Sequence, residues 1–216
     1  MNSHKKIYSV ECDECNHTWS VELWPLIADG DDEDAIQMIC DGIFFEHSCP
    51  NCGHRYQFVD SLIYYDREKK TMICYVDSVM DLARVYQTLE DTAQEIKNLF
   101  EEAVIRVATS QNEFREKIML HRDGLDDRII ELMKYWALQV LRGEGHNQEF
   151  EDIRCSLSDE KKLCIDFIGS DPRCLILDMG FYEKYSCKML EMINKEDQPI
   201  EVNQDWAVDF SERNNC

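Results

Sequence analysis

CDECNH, residues 12–17, and CPNCGH, residues 49–54, share one pattern: two cysteines separated by two residues, then a small residue and a histidine. One such pair is a weak signal, because a redox dithiol has the same spacing. Two pairs are typical of a tetrahedral four-sulfur site, since each turn directs two sulfurs at one point. We therefore predict one structural Zn²⁺ ion per chain. Its predicted ligands are Cys12, Cys15, Cys49 and Cys52.

His17 and His54 are rival ligands. Each lies two positions beyond a complete cysteine pair, where a strand side chain would point aside, and four thiolates close the site without them. A closed site leaves no position for water or substrate, which argues against zinc catalysis. The same sulfurs could hold iron, as in a rubredoxin-like electron carrier. Rubredoxins are much shorter than this chain of 216 residues, so zinc is favoured.

The segments around the cysteines resemble the CpXC-domain family of bacterial and archaeal proteins. The resemblance rests on CDECNHTWSVELW from Cys12, on GIFFEHSCPNCGHRYQFVDSLIYYDREKKTMICYV from Gly42 and on RVATSQNEFREKIMLHRDGLDDRIIELMK from Arg106. It extends over about residues 7–136 and implies a zinc-ribbon-like domain with two cysteine pairs. The first pair departs from the family by having Asp13 in place of proline. The family carries no assigned activity, so the resemblance supports the zinc and adds little about function.

The charge of the chain limits its partners. The formal net charge is −21, and every part of the chain is acidic. Such a field repels phosphate backbones, and only Lys5-Lys6 and Lys69-Lys70 offer a local basic patch. We therefore expect a protein partner, with a basic protein as one alternative, rather than nucleic acid.

The sequence also indicates a compartment. No apolar run approaches the roughly 18 residues of a membrane span, and the start, MNSHKKIYSVEC, lacks the apolar core of a signal peptide. The eleven cysteines are odd in number and, outside the two pairs, scattered singly, which favours reduced thiols over disulfides. These features predict a cytoplasmic protein with no membrane association.

The first predicted domain, residues 1–78, is a zinc-ribbon-like β domain. Alternating residues on both sides of each cysteine pair predict two hairpins, and one strand is predicted over residues 55–65 after the second pair. Between them, Asp31 or Asp32 could cap a helix over about residues 33–41 that ends at Gly42. The acidic run at residues 29–34 is not an EF-hand loop, because the glycine and the closing glutamate do not stand at the required positions. The helix explains the long spacing between the pairs.

The rest of the chain is predicted to be a helical section, residues 79–142, and a small C-terminal α/β unit, residues 146–216. An apolar stripe over residues 79–104 has helical spacing and could pair with a second copy in a homodimer. Beyond the glycines near residue 145, three strand-like runs precede a helix near residues 181–193. The predicted fold class is therefore α+β.

Acidic residues near the middle of the chain raise the alternative of an enzyme within residues 80–216. The candidates are His121, Asp123, Asp126, Asp127, Arg128 and Glu131. No opposing cluster at metal-ligand spacing faces them, and acids at a helix start are stabilised by the free N–H groups there. We therefore favour a non-enzymatic interaction or regulatory module, with a nucleic-acid-binding ribbon and an enzyme as alternatives.

Overall fold

The fold combines helices and strands throughout the described part of the chain. The computed structural model describes residues 3–57, 61–76, 104–145, 148–196 and 198–214. A sheet with the cysteine cluster comes first, helices follow, and strands and helices end the chain. The predicted α+β class is confirmed.

The chain forms two compact units, Met1–Arg115 and Glu116–Cys216. The predicted division into three parts stays a prediction, because most of its helical section, residues 79–103, lies outside the described residues. The apolar stripe proposed for a homodimer falls in the same range.

Two hairpins in the first unit carry the cysteine pairs, as the alternating residues predicted. Strands β1 (His4–Glu11) and β2 (Thr18–Ala28) are antiparallel. Strands β3 (Glu46–Ser48) and β4 (Arg55–Gln57) are also antiparallel and form a separate two-stranded sheet. Each hairpin turns back at its cysteines.

Helix α1 (Glu33–Asp41) lies between the hairpins, with the predicted ends. The Asp32 carboxylate accepts a hydrogen bond from the Ala35 N–H at 3.3 Å and caps the first turn. Gly42, with φ of 76°, ends the helix in the left-handed conformation. The helix buries Ala35, Ile36 and Ile39, whose spacing places them on one face.

A five-stranded sheet forms the core of the first unit, with strand order β1-β2-β5-β6-β7. Strands β5 (Leu62–Asp66) and β6 (Thr71–Tyr75) form an antiparallel hairpin and are largely buried. Strand β7 (Val104–Ala108) lies parallel to β6. The sequence had predicted one strand over residues 55–65, and this was wrong. Its two ends, β4 and β5, belong to different sheets.

The second unit packs helices against a three-stranded antiparallel sheet. Helix α2 (Gln111–Arg122) begins in the first unit and ends in the second. The other elements are α3 (Asp127–Gly143), β8 (Asp152–Leu157), β9 (Lys162–Ile168), β10 (Arg173–Asp178), α4 (Met179–Ile193) and α5 (Gln204–Asn214). Strand β9 is central and turns Leu163, Ile165 and Phe167 into the core. Helix α5 was not predicted.

Candidate metal centre

The first cysteine pair lies in the tight turn between β1 and β2. The Cys12 N–H donates to the His17 carbonyl at 2.9 Å, and the Asn16 N–H donates to the Cys12 carbonyl at 2.8 Å. Asn16 has φ of 54°, a left-handed conformation that asparagine tolerates better than most residues. The turn therefore reverses the chain immediately after Cys15.

The second pair repeats this backbone pattern between β3 and β4. The Cys49 N–H donates to the His54 carbonyl at 2.8 Å, and the Gly53 N–H donates to the Cys49 carbonyl at 2.9 Å. Gly53 has φ of 75°, which glycine adopts without steric cost. The two turns are thus the same local structure, built from different residues at the left-handed position.

The two turns bring all four cysteine sulfurs together. Every pair of Sγ atoms lies within 4.8 Å. Cys12 Sγ is 3.5 Å from Cys52 Sγ, and Cys15 Sγ is 3.7 Å from Cys49 Sγ. A tetrahedral ion with metal–sulfur bonds of about 2.3 Å requires sulfurs about 3.8 Å apart. The cluster could therefore hold a metal ion, and no other cluster of this kind was found in the described part of the chain.

Two side chains of the second hairpin contact sulfurs of the first turn. The Tyr56 hydroxyl donates to Cys12 Sγ at 2.8 Å, and the Asn51 side-chain amide donates to Cys15 Sγ at 3.4 Å. Sequence reasoning did not single out either residue. The only signal for Tyr56 was an aromatic residue four positions after Cys52, which does not reveal the sulfur that it contacts.

The protonation of the sulfurs differs within the cluster. Burial raises the pKa of the Cys12 thiol, but hydrogen bonds from Tyr56 and from backbone N–H groups of its own turn lower it to about 6. At Cys52 a backbone N–H lowers the pKa, whereas burial and the other three sulfurs raise it to about 12. Because Cys52 is a thiol at neutral pH without a metal, a cation that binds all four sulfurs displaces at least one proton.

The two histidines do not join the sulfur cluster. The group with ligand atoms in range consists of the four cysteines. The His17 ring stacks on Trp19 with centroids 6.5 Å apart, and the His54 ring packs edge-on against Tyr56 at 4.8 Å. The histidines thus pack against the aromatic residues beside the site.

Sequence comparison agrees with this geometry. A family model described as CpXC protein matches residues 10–134, which is more than half of the chain and includes both cysteine pairs. The chain belongs to the CpXC family. No curated protein and no solved structure matches it.

Three of the four carboxylates considered for an enzyme site form ion pairs in this CpXC protein. Asp126 caps α3 and makes a two-point contact with Arg128, at 3.0 and 2.7 Å. Asp127 lies 3.3 Å from Lys117, and Glu131 lies 2.8 Å from Lys134. The helix-start interpretation accounts for Asp126, and the other two carboxylates stabilise the second unit.

Changing His54 to alanine should leave the metal content of the CpXC site unchanged. The imidazole contacts Tyr56 rather than the sulfurs, so its loss removes an aromatic contact that contributes about 0.5–1.5 kcal/mol. Elemental analysis of the purified variant and of the unmodified protein measures the difference. A variant that loses its metal would show that His54 is a ligand.

Proposed function

We propose that this CpXC protein is a non-enzymatic zinc-binding module whose acidic surface binds a protein partner that carries basic groups. The observation that carries the proposal is the approach of four sulfurs from two hairpins to within 4.8 Å of one another. Cys12, Cys15, Cys49 and Cys52 would hold one structural Zn²⁺ ion per chain. Four thiolates fill a tetrahedral shell, so the ion would have no open position for a substrate.

A structural role fits the small size of the second hairpin. Strands β3 and β4 have three residues each, and the first and last residue of each strand are exposed. An isolated two-stranded hairpin is marginal in water, so a bound ion would replace the apolar core that this segment lacks.

The charge distribution supports a protein partner over nucleic acid. One lysine of the Lys5-Lys6 pair is already engaged, because Lys5 Nζ lies 3.6 Å from Glu22 and 4.0 Å from the centre of the Trp24 ring. The chain has 44 acidic and 23 basic residues. A partner with a basic surface would be attracted by this field, and a phosphate backbone would be repelled.

Within the residues that the structure describes, no helix has the length and apolar character of a membrane span. The cytoplasmic location stays a prediction.

The zinc-loaded protein should not bind duplex or single-stranded DNA at about 150 mM salt. The two lysine pairs could neutralise only about four phosphates, and such contacts weaken with a log–log salt slope of about −0.9 per phosphate. Fluorescence anisotropy with labelled oligonucleotides measures the binding, with Lys69→Glu/Lys70→Glu as the charge-reversed comparison. Sub-micromolar binding that this double variant loses would assign the protein to the nucleic-acid-binding class.

A capture experiment tests the acidic surface directly. Immobilised protein is incubated with nuclease-treated lysate, and bound proteins are eluted with rising salt. The captured proteins should be basic, and they should elute as rising salt screens the charges. Retention of proteins without regard to charge, or at high salt, would contradict an electrostatic interface.

A further inference from the structure

Tyr56 connects the two halves of the cysteine cluster. It is the middle residue of β4, on the strand that leaves the second cysteine pair. Its hydroxyl nevertheless contacts the first turn twice: it donates to Cys12 Sγ at 2.8 Å and accepts from the Asp13 N–H at 3.0 Å. One hydroxyl group therefore joins residues that are more than forty positions apart in the sequence.

The ring that carries this hydroxyl is held from both hairpins. Trp19, on β2, lies 5.6 Å from the Tyr56 ring, measured between centroids. His54 packs edge-on against the ring at 4.8 Å, and the backbone of Tyr56 pairs with His47 in the β3–β4 register. These contacts restrict the ring, so the hydroxyl does not depend on the bound metal alone for its position.

We propose that Tyr56 is a positioning residue for the metal centre: its hydrogen bond fixes the Cys12 sulfur and withdraws electron density from it. The proposal rests on the metal-binding function proposed above. A thiolate that accepts a hydrogen bond carries less charge and is a weaker nucleophile. Loss of such outer contacts commonly weakens metal binding by about 10–100-fold. By holding the Cys12 sulfur in place, Tyr56 would tighten metal binding.

The Asn51 amide is a second and weaker donor to the same turn. Its nitrogen lies 3.4 Å from Cys15 Sγ, and its side chain is exposed. Water can replace an exposed donor at little cost. The Tyr56 contact is shorter, and its sulfur partner Cys12 is fully buried, so we assign the larger effect to Tyr56.

Tyr56→Phe tests the proposal, because phenylalanine retains the ring and removes only the hydroxyl. The full-length protein is loaded with Co²⁺, and the thiolate-to-cobalt charge-transfer absorption is recorded. We expect this band to shift to lower energy in the variant, because a thiolate without the hydrogen bond is a better electron donor. The Co²⁺ affinity should fall by about 10–100-fold.

Tyr64→Phe is the matched control. Tyr64 is fully buried in the same unit, and its hydroxyl donates to Asp29 at 2.7 Å, away from the sulfurs. This variant should lose stability without a shift of the absorption band. An unchanged band and affinity in Tyr56→Phe would overturn the proposal while leaving the metal site intact. Failure of the unmodified protein to bind Co²⁺ through thiolates would instead overturn the proposed function.

Discussion

We expect the Cys49→Ser variant to lose the proposed zinc ion and, with it, the folded β3–β4 hairpin. Cys49 is almost fully buried, and its sulfur lies 3.7 Å from that of Cys15, so serine cannot replace it as a soft ligand. Structural zinc sites of this type contribute about 10–16 kcal/mol of binding energy, which is also folding energy. Strands β3 and β4 have only three residues each, and a two-stranded hairpin of this size is marginal in water. Hydrogen exchange over residues 46–57 should therefore become fast.

Cys187→Ser provides the control for this prediction. Cys187 is exposed on α4, in the other compact unit. This variant should retain one zinc per chain, and hydrogen exchange in the hairpin should remain slow. Removal of zinc from the unmodified protein with a chelator should reproduce the pattern of Cys49→Ser. Slow exchange in a metal-free Cys49→Ser hairpin would show that the fold does not need the ion.

The second large effect is expected from Lys134→Met, in the core of the second unit. Lys134 is 3% exposed, and its ammonium contacts the carboxylates of both Glu116 and Glu131. Those carboxylates raise the pKa of Lys134 above its usual range despite burial, so it stays protonated. Removal of the cation leaves two buried carboxylates facing each other. We expect a loss of about 3–5 kcal/mol in the free energy of unfolding.

Urea denaturation that is monitored through the hydrogen exchange of β9 measures this loss of stability in the second unit. Lys162→Met is the matched control, because Lys162 pairs with Glu160 on the surface, with 43% and 75% of the side chains exposed. The Lys162→Met substitution should lower the free energy of unfolding by less than about 1 kcal/mol. Adding Glu116→Gln and Glu131→Gln to Lys134→Met should restore much of the stability. A single Lys134→Met variant as stable as Lys162→Met would contradict the buried-charge account.

Local features of the fold could be predicted from sequence because their causes are local. The hairpins follow from alternation beside each cysteine pair, and α1 follows from a cap at Asp32 and a stop at Gly42. The convergence of the cysteines needed only the repeated spacing and the chemistry of zinc. In each case the determining residues lie within a few positions of the structure that they form.

Other features depend on residues far apart in the chain. Strand β7 joins the sheet beside β6, and no local pattern shows which strand is its neighbour. The contact of Tyr56 with Cys12 spans the two hairpins. The ion pairs of Lys134 include Glu116, on a different helix. Tertiary structure selects such partners, so a single amino-acid sequence does not indicate them.

The metal content of the purified protein tests the central claim most directly. Elemental analysis of protein that has not been exposed to added metal gives the number of zinc and iron atoms per chain. A closed four-thiolate centre of this geometry should contain about one zinc per chain and little iron. One iron per chain and a red colour would show that the site is a rubredoxin-like iron centre and not a zinc site. A folded protein without any metal would contradict the account.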